Sequence, residues 1–203
     1  MNPPFALKTS DEKEFSFVDS ALKQMQDGGI LFSILPYSTM VKSEVRMWRK
    51  HLLANNSLLS VITFPPDLFY PIGVHTLGIF VKKGIPHPEG QKVFWIRALN
   101  DGLLKKKGKR LQNSRARNDL ETIRIDLRSF ITNPDVRIEN IPEFQKAVPI
   151  DFKDLQLELV PEAYLDQTKP SSDEIQIGIE NLVRETAAFL IRARKENEIL
   201  NEN

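Results

Sequence analysis

The chain contains no cysteine, and this absence excludes several kinds of chemistry. Disulfide frameworks, cysteine nucleophiles and thiolate metal sites all need a thiol, whereas a chain without one suits the reducing cytoplasm. Histidine is scarce as well. The three histidines, His51, His75 and His87, do not fall at the spacing of a metal-binding motif. The sequence therefore predicts no metal site.

Long hydrophobic runs and a charge excess of either sign are also missing. No apolar stretch reaches the roughly 18 residues of a membrane-spanning helix, and residues 1–15 have the pattern of neither a signal nor a transit peptide. The 203 residues carry 28 basic and 27 acidic side chains, and 41% of them are hydrophobic, as is ordinary for a globular protein. These features predict a soluble cytoplasmic protein with a substantial core.

Glycine occurs at nine positions, and none of them forms the spacing G-x-G. Glycine-rich loops of that kind let a backbone approach phosphates and nucleosides closely. The single pair, Gly28–Gly29, follows a helical pattern, and we interpret it as the end of that helix. The sequence therefore predicts no nucleotide cradle of this type within the chain.

Helical and strand patterns alternate over residues 1–100. Apolar residues at helical spacing predict helices over 14–27 and 41–54. Short apolar or alternating runs, bounded by glycine or proline, predict strands. These strands cover 30–35, 58–64, 74–81 and 93–96. The order is typical of an α/β fold whose sheet is covered on both faces.

Residues 101–203 have a different character. Residues 101–117 are polar and basic, residues 118–131 predict a short helix, and residues 133–170 carry five prolines and predict an extended, packed connection. A final helix is predicted over 173–200. Its apolar stripe has two open interpretations, a face packed in the core or a face that contacts a partner protein.

A basic segment stands out in a chain of nearly zero net charge. Between Leu103 and Asn118 there is no acidic residue. The basic residues of this segment are Lys105, Lys106, Lys107, Lys109, Arg110, Arg115 and Arg117. Two interpretations remain open here, a solvated loop or a surface that contacts nucleic-acid phosphates.

The residues directly after Met1 carry the most specific chemistry. In Asn2–Pro3–Pro4–Phe5, the two prolines fix their own φ and disfavour the helical conformation in the residue before each of them. A stiff loop of this kind displays the Asn2 side-chain oxygen and the Pro3 carbonyl next to an aromatic ring. Two acceptors beside an aromatic plane suit an amine attached to a flat ring.

The motifs that follow resemble, in the same order, the second half of adenine-N6 DNA methyltransferases of the kind found in type I restriction–modification modification subunits. The motif N-P-P-[FY] opens that half of the family's catalytic domain. The matching segments here are Glu14–Gln26, Gly28–Pro36, Val61–Pro65, Leu68–Val74, His75–Lys83, Arg97–Arg110 and Leu159–Leu165. The resemblance covers residues 1–110 well and weakens beyond them.

The resemblance implies an α/β fold that is the C-terminal half of a Rossmann-like S-adenosylmethionine-dependent methyltransferase sheet. The first three strands would be neighbours, with the third antiparallel and inserted between the other two. Residues 1–100 would be the catalytic-domain fragment. Residues 101–203 would form a basic loop, an irregular connection and a helical C-terminal extension.

The resemblance also implies a reaction, methylation of the amine of an adenine flipped out of double-stranded DNA. Asn2 and Pro3 would orient the amine, and Phe5 would stack on the base. The pocket for the target base would be lined by Pro4, Phe69 and Tyr70. His75, next to a predicted strand, is interpreted as a structural histidine.

In the family, the cofactor motifs lie upstream of N-P-P-[FY]. This chain departs from that pattern, because only Met1 precedes the motif in this sequence. We therefore expect a fragment that lacks the S-adenosylmethionine-binding half and is inactive by itself. Expected partners are DNA, a specificity or target-recognition subunit, a polypeptide that supplies the cofactor half, and a second copy of the chain. Two alternatives remain: a protein-glutamine methyltransferase, whose substrate amide is also a planar amine, and a non-enzymatic DNA-binding or assembly module.

Overall fold

A five-stranded sheet forms the centre of the protein in the computed structural model. The structure describes residues 1–5, 12–66, 68–69, 73–106, 109–112, 117–141 and 143–166, together with 172, 175–176, 179–180, 182–184 and 186–187. For Lys105 and Lys106 it describes the backbone. Residues 1–167 form one compact unit and residues 168–203 form a second.

Three helices and seven strands are defined within the first unit over the described residues. In chain order they are α1 (Glu14–Gln24), β1 (Ile30–Pro36), α2 (Arg46–Asn55), β2 (Asn56–Thr63), β3 (Thr76–Lys83), β4 (Lys92–Arg97), β5 (Leu103–Lys106), β6 (Lys109–Gln112), α3 (Asp119–Thr132) and β7 (Gln145–Pro149). Short 3₁₀ turns cover Tyr37–Met40, Ser43–Val45 and Pro161–Ala163.

The strand order of the central sheet is β1-β3-β2-β4-β7. Strand β3 is antiparallel to both β1 and β2, whereas β2 and β4 are parallel. This confirms the expected order of the first three strands, with the third inserted between the other two. Strands β5 and β6 form a separate two-stranded hairpin.

The core lies on both faces of the sheet, as the α/β pattern predicts. In β4, Val93 and Trp95 point into a cluster with α1 and α2, while Phe94 and Ile96 point into a second cluster with α3. All eight residues of β2 are buried, because this strand lies in the middle of the sheet. A continuous apolar run suits a strand whose two faces are both covered.

Three sequence-based predictions differ from the structure. The helix predicted over 41–54 begins at Arg46, because 3₁₀ turns occupy part of the segment before it. The polar segment 101–117 contains the β5–β6 hairpin rather than a plain loop. The irregular connection predicted over 133–170 contains β7, which pairs antiparallel with β4 and extends the sheet beyond residue 100.

The predicted helix over 173–200 lies largely outside the described residues. Those that are described between 172 and 187 are helical, and Ile175, Ile179 and Leu182 are exposed. None of the helices that the structure describes is long and apolar enough to cross a membrane.

Candidate functional site

The carboxyl ends of β1, β2 and β4 lie at one edge of the sheet. This follows from the pairing, because β3 is antiparallel to β1 and β2, and β4 is parallel to β2. In open α/β sheets, ligands bind in the crevice outside the carboxyl ends of the strands. We call this side of the sheet the carboxyl edge and the opposite side the amino edge.

The Asn2–Phe5 motif is positioned by hydrogen bonds between Met1 and β1. The amino group of Met1 donates to the carbonyl of Phe32, and the amide of Ile34 donates to the carbonyl of Met1 at 3.0 Å. This is the pattern of a parallel strand pair, so the chain runs from Met1 toward the carboxyl edge. There Pro3 is buried, whereas the Asn2 side chain is exposed and accessible to a ligand.

Phe5 contacts a second predicted pocket residue. Its ring meets the ring of Phe69 edge to face, with 6.0 Å between centroids and an angle of 82° between the planes. Phe69 lies in the segment between β2 and β3, so the contact joins two loops of the carboxyl edge. Phe5 is half-buried. The structure thus brings Phe5 and Phe69 together, whereas Tyr70 lies outside the described residues.

A polar network fills the same edge between β1 and β2. The Thr63 hydroxyl donates to the Glu162 carboxylate at 3.0 Å. Burial and the nearby Glu162 carboxylate raise the pKa of Tyr37, so its hydroxyl stays protonated and donates to that carboxylate. The Tyr37 ring also stacks on His75 at 4.6 Å, and its amide donates to the His75 carbonyl. His75 is itself exposed, and its interpretation as a structural histidine stays a prediction.

The β5–β6 hairpin leaves the carboxyl edge directly after β4. Its base is closed by a bridge between Asp101 and Asn118, next to Gly102, which has a φ of +75°. The register places Lys105 opposite Arg110 and Lys106 opposite Lys109. Like charges directly opposite each other on neighbouring strands repel. Two of the four cross-strand pairs of this hairpin therefore have a basic residue on both strands.

Asp119 anchors this hairpin to α3. Its buried carboxylate accepts the amides of Leu99 and Asn100, both at 2.9 Å, and pairs with the Arg117 Nε at 2.7 Å. The Arg117 guanidinium also lies over the Phe144 ring, 5.0 Å from its centroid. Arg117 therefore has a structural role in addition to any contact with nucleic acid, although 62% of its side chain is exposed.

The structure describes only some of the other residues that were predicted to contact phosphates. Lys109 and Arg110 lie on β6 and are exposed. The backbones of Lys105 and Lys106 lie on β5, whereas Lys107 and Arg115 are outside the described residues. Among the predicted phosphate contacts, the exposed side chains that the structure describes thus follow β4 at the carboxyl edge, the same edge as the Asn2–Phe5 motif.

The described glycines do not supply a cradle for S-adenosylmethionine. Gly28, with a φ of +81°, and Gly29 precede β1 and lie at the amino edge, away from Asn2. At the carboxyl edge, Gly73 lies before β3 and Gly102 closes the hairpin base against Asn118. The glycines at the carboxyl edge occur singly rather than as a glycine-rich loop, so they do not form such a cradle.

Tyr37 and Asp119 were missed by the sequence analysis. A single tyrosine after a strand and a single aspartate at a helix start are common, and their partners lie far along the chain. Glu162 lies in the segment Leu159–Leu165, which the family resemblance had singled out without assigning a role. The contact of Glu162 with Thr63 spans 99 positions of sequence.

A model of the family described as N-6 DNA Methylase matches residues 2–173. Among curated proteins, the type II restriction enzyme and methyltransferase RM.BcgI of Heyndrickxia coagulans is 35% identical over 108 residues. That match covers 50% of this chain and 17% of the relative.

Three solved structures are similar to this chain. A chain of a type I restriction–modification system has a TM-score of 0.54 and 20% identity, covering 97% of this chain and 44% of that one. A type I methyltransferase subunit from Streptococcus thermophilus gives 0.50 and 20%, covering 71% and 29%. A modification subunit from Vibrio vulnificus YJ016 gives 0.50 and 14%, covering 86% and 38%. These likenesses show the fold, and the chain spans less than half the length of each of these relatives.

Proposed function

Because the chain belongs to the N-6 DNA methylase family, whose members use S-adenosylmethionine, we propose that it carries the target-adenine side of a DNA methyltransferase of a restriction–modification system. One observation supports the proposal. Met1 pairs with β1, the Asn2–Phe5 motif that follows it lies at the carboxyl edge, and Phe5 contacts Phe69 there. The accessible Asn2 side chain is the group that the reaction needs at this position.

The chain's own residues act on the target amine. The Asn2 side-chain oxygen and the Pro3 carbonyl accept the two amine hydrogens, which draws the nitrogen lone pair out of conjugation with the ring. Phe5 stacks on the flipped base, while Pro4, Phe69 and Tyr70 line the pocket. Positioning of the amine supplies most of the chain's contribution to the rate. The residues that cradle S-adenosylmethionine are then expected outside this chain's 203 residues.

The β5–β6 hairpin is the proposed contact with the DNA backbone. Lys109 and Arg110 are exposed on it, and its like-charged cross-strand pairs repel in the absence of a counterion. A phosphate backbone relieves that repulsion. The hairpin therefore favours DNA over a glutamine-containing protein as the substrate. Lys105, Lys106, Lys107, Arg115 and Arg117 are assigned to the same surface.

Further partners follow from the same reasoning. One of the similar solved structures is described as showing complex assembly of a type I restriction–modification system. We propose that this chain likewise acts with a specificity or target-recognition subunit and with a polypeptide that supplies the cofactor half. Its location in the cytoplasm, where the DNA of a restriction–modification system lies, is part of the same proposal.

The test is the Asn2→Ala variant in a preparation that methylates DNA. We expect methyl transfer to adenine to be abolished while DNA affinity stays nearly unchanged, because Asn2 acts on the reacting amine. Phe5→Ala is expected to weaken capture of the flipped base by about 1–3 kcal/mol, measured by the fluorescence of 2-aminopurine at the target position. The matched control is Asn55→Ala, on the exposed end of α2.

Wild-type turnover by Asn2→Ala would remove the assigned role. Transfer to a glutamine peptide that adenine-containing DNA does not inhibit would favour the protein-glutamine alternative. If the chain, combined with a polypeptide that supplies the cofactor half, binds DNA but not the cofactor, the non-enzymatic module is favoured.

A further inference from the structure

A cleft of about 510 Å³ opens at the amino edge of the sheet, opposite the Asn2–Phe5 motif. Its walls come from α2, which leads into β2, from the turn between β3 and β4, and from the segment after β7. The topology places all three at this edge, because β2 and β4 begin here while the antiparallel β3 and β7 end here. None of these walls belongs to the site described above.

Three nitrogen donors line the cleft. Arg46 and Lys50 lie one turn apart on α2, and His87 lies in the turn after β3. The Arg46 Nε is buried and finds no hydrogen-bond partner among the described residues. His87 is 8% exposed, and neither of its ring nitrogens makes a hydrogen bond of ordinary geometry within the described part of the chain. Buried nitrogens without partners are uncommon and call for an acceptor.

None of the described residues of the lining accepts a hydrogen bond from the Arg46 Nε or from the His87 ring nitrogens. Asp154 is the acidic residue of its lining, and the two carboxylate oxygens of Asp154 accept the amides of Gln156 and Glu158 at 2.9 and 2.7 Å. These backbone hydrogen bonds lower the pKa of Asp154 against a smaller opposing effect of burial, and the charges of Arg49 and Arg46 lower it further, so the carboxylate stays ionised. Burial lowers the pKa of His87, against a smaller opposing effect of the Gln91 backbone, so the imidazole is neutral with one N–H to donate.

The remaining lining is apolar and extends to an exposed rim. Leu53 and Leu157 are buried and form the floor. Pro86, Phe152 and Leu155 are exposed, the last two with 46% and 78% of their surface accessible. A small ligand buries most of its own surface inside its pocket and would leave this rim in water. A longer chain segment covers both the floor and the rim. An exposed apolar rim together with hydrogen-bond donors that have no partner is typical of a surface that binds another protein.

We propose that this cleft docks an acidic, apolar segment of a protein partner. A carboxylate side chain of the segment accepts hydrogen bonds from Arg46, Lys50 and His87, and neighbouring aliphatic or aromatic side chains cover Phe152 and Leu155. Charge complementarity selects the carboxylate, because the lining offers two cations and an N–H against one carboxylate, and both oxygens of that carboxylate already accept backbone amides. The proposal does not rest on the proposed activity. Because the cleft is at the amino edge, the partner and DNA bind at the same time.

The experiment follows amide shifts of the ¹⁵N-labelled chain on addition of two synthetic peptides. One is acetyl-Ser-Leu-Glu-Phe-Ser-amide, and the matched peptide replaces its glutamate by glutamine. We expect saturable shifts confined to residues 46–54, 86–91 and 151–158. The glutamine peptide should bind about tenfold more weakly, as befits the loss of a charge-assisted hydrogen bond.

Two variants test the assignment. Lys50→Gln lies on an exposed position and leaves the fold intact, and Arg46→Gln removes the buried donor. Both are expected to bring the acidic peptide down to the affinity of the glutamine peptide, whereas Arg128→Gln, on the exposed face of α3, leaves it unchanged. Equal binding of the two peptides, or no saturable shift at millimolar peptide, would overturn the proposal. So would displacement of the peptide by adenine-containing duplex DNA, which would assign the cleft to nucleic acid.

Discussion

The Nε of Arg49 donates to the carbonyl of Leu157 at 2.9 Å, and so holds a leucine whose φ is +52°. Non-glycine residues with positive φ are uncommon and need the surrounding structure to keep them there. Arg49 is fully buried on α2. Its guanidinium donates to five carbonyls, those of Leu157, Gln156, Thr39, Val41 and Lys42. One side chain therefore joins α2 to the turn after β1 and to the segment after β7.

Arg49→Met is expected to destabilise the protein by about 3 kcal/mol or more, because it leaves several buried carbonyls without a donor. The free energy of unfolding in urea, measured by circular dichroism, checks this. Arg124→Met, on the exposed face of α3, is the control and should stay within about 0.5 kcal/mol of the wild type. Equal stability of the two variants would contradict the role given to Arg49.

The basic hairpin predicts the salt dependence of DNA binding. Lys109→Gln and Arg110→Gln should each lower the slope of log affinity against log salt concentration by about one unit, because each removes one phosphate contact. Lys92→Gln, an exposed control at the amino edge, should leave the slope unchanged. The salt dependence of the affinity is measured by fluorescence anisotropy with a labelled DNA duplex. An unchanged slope in the two hairpin variants would return this segment to the role of a solvated loop.

Tyr164 predicts a loss of stability in alkali. Its ring stacks on Trp95 at 3.8 Å, and its hydroxyl donates to the Glu158 carbonyl at 3.2 Å. Burial raises the pKa of Tyr164 to about 12, and the Asp154 charge adds to this, whereas the Asp151 amide opposes it. In the unfolded chain the pKa of Tyr164 is about 10. The contribution of the protonated Tyr164 to the free energy of unfolding is therefore fully present below pH 10 and is lost as the pH rises toward 12.

Urea unfolding of the wild type and of Tyr164→Phe at pH 8 and pH 11 tests this sign. The wild type should lose more stability between the two values than the variant, which has no hydroxyl to ionise. Tyr37→Phe is the second arm, because the pKa of Tyr37 is raised as well. The same pH dependence in the wild type and Tyr164→Phe would show that Tyr164 ionises normally in the folded state.

The outer edge of β1 predicts association with another polypeptide. Met1 pairs with Phe32 and Ile34 on this edge, and Ile30 at the start of the strand is 44% exposed. Exposed strand edges pair readily with other chains, and a charged side chain on the edge discourages this. Light scattering should show self-association of the purified chain and a smaller mass for Ile30→Lys. Ile125→Lys, exposed on α3, is the control, and a monomeric wild type would be the contrary result.

Cofactor binding by the 203-residue chain is expected to be negligible, because the sequence contains no G-x-G and the described glycines do not form a cradle. Calorimetric titration with S-adenosylmethionine measures this directly. Micromolar binding by the purified chain would mean that the cofactor site lies in residues to which we have assigned no such role.

The sequence alone determined the elements whose signal is local. The apolar runs that became β1 and β2, the alternation in β3 and the glycines that end α1 each carry their pattern within a few residues. The order of the first three strands came from the family resemblance. The Asn2–Phe5 motif was identified by its chemistry, because two prolines restrict the chain whatever surrounds them.

The tertiary structure decided the elements whose reason lies far along the chain. Strand β7 has little periodicity of its own and exists because β4 offers it a partner. The pairing of Phe5 with Phe69, the hold of Arg49 on Leu157 and the walls of the amino-edge cleft each join segments distant in sequence. No local pattern predicts such contacts, because they are set by the direction in which neighbouring strands run and by the closing of long loops.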